Sequence, residues 1–165
     1  MKSTPSKYIL FALCFFTMLV ARATLNADTL KSDSLLTFAK KFLGTKYKYA
    51  HCDPKSGFDC SGFTYYVFGH FNIKVPRSSI DYAKFGTKIA KDSARKGDVI
   101  VFTGTNAKNR HAGHVGIVIS NPGEDLRFIH CSSNKKKGGV IMSSFKESPY
   151  YEKRFIRVCR VTDVK

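Results

Sequence analysis

Apolar positions recur at helical spacing over residues 33–44, where Leu35, Phe38, Ala39 and Phe42 share one face. Asp33 or Ser34 can cap that helix and Gly44 stops it. A loop rich in Tyr, Pro and Gly follows over 45–58. The next helix is expected to begin at Asp59 or Cys60 and to run to about Phe71, with Phe63, Val67, Phe68 and Phe71 as its buried stripe. A third, shorter helix is expected from Ser78 or Ser79 to Gly86. From there the period changes. Segments 98–102, 115–120, 126–131, 139–142 and 155–161 are short β-type runs bounded by Gly, Pro, Asn and Lys. Asn121-Pro122-Gly123-Glu124 reads as a tight hairpin between the second and third. Helices first and antiparallel strands after predict an α+β fold with one core, the Cys60 helix packed on an antiparallel sheet of about five strands.

The extreme N-terminus follows another pattern. Lys2 and Lys7 precede an apolar run over 8–16 that resumes over 18–20, and Ala21-Arg22-Ala23 offers small residues around one position. The run is short for a bilayer span. Residues 1–23 are therefore expected to be a signal peptide, the alternative being an uncleaved anchor. Cys14 lies inside the run behind Leu13, which disfavours a lipoprotein signal. Residues 24–33 are then expected to be a short N-terminal segment and 34–162 one folded domain, which carries the candidate chemistry described below.

Composition adds a strong charge. The 165-residue chain carries a formal net charge of +16. Setting aside Lys2, Lys7 and Arg22, 25 of the 28 basic residues remain against 12 acidic ones, a net charge of about +13. Export argues against nucleic acid as the partner, and an anionic cell envelope is the expected one. No stable membrane insertion is expected after signal cleavage, and the protein is expected to be a monomer.

Candidate chemistry centres on Phe58-Asp59-Cys60-Ser61-Gly62-Phe63, where a loop becomes a helix. A free thiol titrates near about 8.5, and a helix N-terminus with a nearby imidazole lowers that by several units. His114 opens an apolar strand and suits a general base, while His130 closes the hairpin partner strand and suits the group that orients it. Taken singly, each residue has a plainer explanation in packing. His51, His70 and His111 read as structural, His111 being the competitor for the base. Zinc on Cys60, His114 and His130 is the other chemical alternative, but the close ligand pairs of a structural zinc site are absent from the sequence. No metal or cofactor is expected. If an internal disulfide forms among Cys52, Cys60, Cys131 and Cys159 while Cys60 stays free, Cys52–Cys131 is the pair expected.

In sequence order, Leu43-Gly44-Thr45-Lys46-Tyr47-Lys48-Tyr49, Ser56-Gly57-Phe58-Asp59-Cys60-Ser61-Gly62-Phe63, Lys96-Gly97-Asp98-Val99-Ile100-Val101-Phe102, Gly113-His114-Val115-Gly116-Ile117-Val118 and Phe128-Ile129-His130 resemble the NlpC/p60 cell-wall cysteine peptidases. The resemblance runs from about Leu35 to Val161. It implies a papain-like core and cleavage of peptidoglycan stem peptides, commonly between D-γ-glutamate and meso-diaminopimelate or lysine. It implies Cys60 as nucleophile, His114 as base and His130 as third catalytic residue. By the same resemblance Tyr47 supports the oxyanion, and Asp59 and Ser61 contact the stem peptide, with helix capping as their alternative role. Two departures fall beside the site. Ala50-His51-Cys52 stands where the family has a glycine pair, and Cys131 where a small residue is usual. The reading is thus a secreted endopeptidase acting through an acyl-thioester. Its alternatives are an acyltransferase or amidase on the same scaffold, or a non-catalytic basic envelope binder.

Overall fold

The computed structural model describes residues 31–161 except Lys137; residues 31–40 are helical (α1), and the chain unwinds through turns over 41–44. The expected signal peptide lies outside the described residues. Leu35, Leu36 and Ala39 are buried, with Phe38 and Phe42 packed against them, because side chains three and four apart share a face. After α1 the chain pairs with the start of a later strand through Gly44 N–H to Val140 O (2.9 Å) and Val140 N–H to Thr45 O (2.9 Å).

The segment 45–58, expected as loop, contains a two-stranded ribbon of β1 (Cys52–Asp53) and β2 (Gly57–Phe58). Helix α2 then spans Cys60–His70, within a residue of expectation at both ends. Its Phe63, Val67 and Phe68 are buried and Phe71 is half-buried beyond its end. The third helix is shorter than its sequence suggests. It is a 3-10 turn over Ser79–Ala83 that inserts the fully buried Tyr82 into the core, after which the chain straightens into strand β3 (Thr87–Ile89).

The other strands are β4 (Val99–Thr103), β5 (Ala112–Val118), β6 (Arg127–Ser132), β7 (Gly139–Ser144) and β8 (Phe155–Arg160). They form one antiparallel sheet in the order β3-β8-β4-β5-β6-β7. Six strands replace the expected five, because Thr-Lys-Ile at the edge is half exposed and carries no apolar alternation to reveal it. A short helix, α3 (Pro149–Arg154), was likewise not expected, although Ser148-Pro149 is a helix-start signal.

Strand β4 explains the layering. Val99 and Val101 join the cluster formed with α1 and α2, whereas Ile100 and Phe102 join Phe128, Phe145, Tyr151 and Val158 on the opposite face. Both faces are covered, so β4 reads as an unbroken apolar run rather than an alternating one.

Candidate active site

Asp59 makes the start of α2. It is the N-cap, in extended backbone, and its Oδ1 accepts from Gly62 N–H at 2.6 Å, satisfying one of the donors a helix start leaves open. The same carboxylate receives Ser61 Oγ–H at 3.1 Å. Arg77, on the loop after α2, grips it with both terminal nitrogens, Nη1 to Oδ1 at 3.0 Å and Nη2 to Oδ2 at 2.7 Å, and also donates to Ser61 Oγ at 3.2 Å. This planar fork holds the guanidinium firmly charged. The capping role of Asp59 is therefore realised in the fold, with an arginine as its partner.

Directly after this cap lies Cys60, buried at the head of α2. Its Sγ lies 4.0 Å from Gly113 O, and the backbone N–H of Val115 acts on the sulfur so as to favour its thiolate. These are the two neighbours of His114 in the chain. A β-bulge sets this geometry: Phe102 stands opposite His114 but Thr103 stands opposite Ala112, so Gly113 is the extra residue. A bulge re-aims a strand, and this one bends β5 beside α2.

His114 Nε2 lies 2.9 Å from His130 Nδ1, with the two rings perpendicular. The hairpin register pairs Ile117 with Ile129 and Val118 with Phe128, and just beyond this paired stretch His130 lies against Gly116. The closeness requires a residue without a side chain at that point, since a Cβ on Gly116 would approach Phe128 Cδ2 to 2.8 Å and His130 Cβ to 3.1 Å. Beyond His130, Nε2 meets Ser143 Oγ at 2.9 Å and Tyr151 Oη at 3.4 Å. With His114 protonated on Nε2 and donating to His130, and His130 protonated on Nε2 and donating to Ser143, Nδ1 of His114 is left with a free lone pair. That is the atom a general base uses.

Burial dominates the electrostatics. It holds His114 neutral, down to about 3, with the Arg154 guanidinium pushing the same way. Burial also takes His130 well below the usual imidazole range, aided by His114 and Arg154. The Cys60 thiol is raised by burial, against the Val115 N–H, and raised further by the Asp59 carboxylate. The sequence leads one to expect a helix start that acidifies this thiol. In the folded protein desolvation outweighs the helix, and the resting pair is a neutral thiol and a neutral imidazole.

Tyr47 bridges to Phe58, two residues before Cys60, and is half-buried. Burial raises its hydroxyl and the Cys60 sulfur raises it further, so the phenol is neutral. The expected Cys52–Cys131 bond is absent, and all four described cysteines are free thiols. Cys131 is fully buried and donates to Phe58 O at 3.0 Å, with burial pushing it up to about 12, while Cys52 faces Arg77.

Arg77, Ser143, Tyr151 and Arg154 are members of this neighbourhood that sequence reasoning misses. Each is a common surface residue type in a loop, an edge strand or a six-residue helix, and only tertiary packing gives it a partner. The described residues contain no group of three or more His, Cys, Asp or Glu side chains able to hold a metal.

Comparison with known proteins identifies the family and the fold. The model of the NlpC/P60 family matches residues 44–160. A gamma-DL-glutamyl hydrolase of Bacillus subtilis is 31% identical over 157 residues, covering 94% of this chain and 36% of the relative. The murein DD-endopeptidase MepS/murein LD-carboxypeptidase of Escherichia coli is 34% identical over 119 residues, covering 72% of this chain and 56% of the relative. The chain thus spans between about a third and about a half of the length of these relatives. Among solved structures, a NlpC/P60 family protein from Bacillus cereus superposes with a TM-score of 0.68 at 29% identity, over 80% of this chain and 40% of that one.

Proposed function

Because the chain belongs to the NlpC/P60 family, we propose that it is an exported cysteine endopeptidase of peptidoglycan stem peptides, cutting the D-γ-glutamyl–diamino acid bond. The observation that carries this reading is the seating of Cys60 Sγ against the backbone on both sides of His114, whose far nitrogen meets His130. The γ-glutamyl chemistry in the name of the Bacillus subtilis relative supports the bond. The excess of basic residues suits an anionic envelope.

The chemistry starts from the neutral pair. His114 Nδ1 takes the Cys60 proton as the sulfur attacks the scissile carbonyl, so charge separates only when substrate has arrived. The oxygen that becomes negative is stabilised by N–H groups at the head of α2 and by the Tyr47 hydroxyl. The imidazolium then protonates the leaving amine, a thioester remains on Cys60, and water activated by His114 hydrolyses it to the acid and free thiol. His130 keeps the tautomer of His114 correct throughout.

Mass analysis of purified muropeptides after incubation tests the reading. New fragments split after D-γ-glutamate are expected with the wild-type protein and none with Cys60→Ala. Equal digestion by both proteins overturns it, and masses showing acyl transfer place the reaction in another class.

A further inference from the structure

Beside Gly113 lies a cavity of about 230 Å³, lined by Gly104, Thr105, Asn106, Asn109, His111 and Gly113 at the β4–β5 connection. Liquid water takes about 30 Å³ per molecule, so this space admits an amino-acid-sized group. Its floor is the residue whose carbonyl faces the Cys60 sulfur. Gly113 and Gly104 touch there, a Cβ on the former coming within 2.6 Å of the latter's Cα, so the two backbone segments are packed directly together. The loop is also pinned. Arg110 donates to Lys153 O at 3.2 Å and to Phe155 O at 2.6 Å, tying it to the junction of α3 and β8.

The lining is polar and free of carboxylates. Asn106 Oδ1 accepts from Lys108 N–H at 3.0 Å and Asn109 Oδ1 accepts from His111 N–H at 3.2 Å. Both carboxamide oxygens are thus committed to the loop, which leaves the two NH2 groups as donors. His111 and the Thr105 hydroxyl can add further donors. The segment from Val99 to Gly123 carries no Asp or Glu, while Lys108 and Arg110 sit on the same loop. Carboxamide donors with nearby positive charge favour a carboxylate over an ammonium group.

We infer that this cavity is a leaving-group subsite that selects a diamino acid bearing a free second carboxylate. The inference rests on the peptidase reading above and adds the side of the scissile bond and its chemistry. The cavity adjoins the strand that carries His114, the group that protonates the departing amine, so the residue that leaves is the one it faces. Meso-diaminopimelate presents a carboxylate there, whereas lysine presents only an ammonium group.

Three stem peptides of identical length decide the matter: one with meso-diaminopimelate, one with its second carboxyl amidated, and one with lysine. The wild-type protein is expected to cut the first at least about tenfold faster by kcat/KM than the other two, as one charge-assisted hydrogen bond provides. In Asn106→Asp/Asn109→Asp the carboxylates keep both turn-forming oxygens, and the preference is expected to shift toward lysine. Equal rates on all three stems, or an unchanged preference in the double variant that still cuts, overturn the subsite and leave the peptidase standing. Stems untouched by the wild-type protein overturn both.

Discussion

His114 Nε2 and His130 Nδ1 lie 2.9 Å apart with their rings at 90°, although neither faces the other across the hairpin ladder. His130 lies against Gly116, and the diagonal contact is possible because glycine leaves that position open. The relay from Ser143 through His130 to His114 thus depends on a strand residue with no side chain of its own. His130→Ala removes the acceptor that holds His114 in its Nε2–H tautomer, and kcat is expected to fall about 100-fold or more. His130→Asn restores a polar partner and should recover part of that loss. Steady-state kinetics on a stem peptide check it, and an alanine variant of undiminished kcat would end the relay argument.

The pH dependence of stability follows from the buried histidines. His114 is held down to about 3 and His130 is also lowered, so the unfolded chain takes up protons below about 6.5 that the folded chain refuses. Stability from these groups is complete above that value and is lost as pH falls, by up to about 1.4 kcal/mol per pH unit for each histidine. Thermal unfolding between pH 7 and 5 is expected to show a falling Tm, with a shallower fall in His130→Asn. A flat Tm over that range contradicts it.

Arg77 is the partner without which the Asp59 carboxylate loses its strongest bonds. The Asp59 side chain is 10% exposed and that of Arg77 37%, so water softens the loss but does not erase it. Arg77→Met is expected to cost about 1–2 kcal/mol in urea unfolding. Asp59→Asn/Arg77→Met should lose less than the sum of the two single changes, and strict additivity would show that the pair is not coupled.

Ala50 adopts a left-handed backbone, φ 57°, which a residue without a side chain adopts more readily. A side chain there costs about 1–2 kcal/mol, while glycine forfeits about 0.4–1 kcal/mol through the freer unfolded chain. Ala50→Gly is therefore expected to stabilise the protein by about 0.5–1 kcal/mol. Chemical denaturation measures this, and a destabilised variant would show that the Ala50 methyl has a packing role.

Much of the site is local in origin, and local chemistry is what a linear sequence displays. The cap Asp59, the helix head Cys60, the strand histidines and the Asn121–Glu124 turn each follow from a few neighbouring residues. A period of 3.6 gave way to short apolar runs, and that change determined an α+β fold with the Cys60 helix on the sheet. Only the tertiary structure decided what burial does. Desolvation is a sum over all elements packed around a group, so the neutral states of Cys60 and His114 belong to the fold and not to the motif. The same holds for partners brought from far along the chain, among them Arg77 on Asp59 and Ser143 on His130. The bulge at Gly113, which seats the sulfur between the neighbours of His114, comes from a mismatch between two strands that neither strand reveals alone.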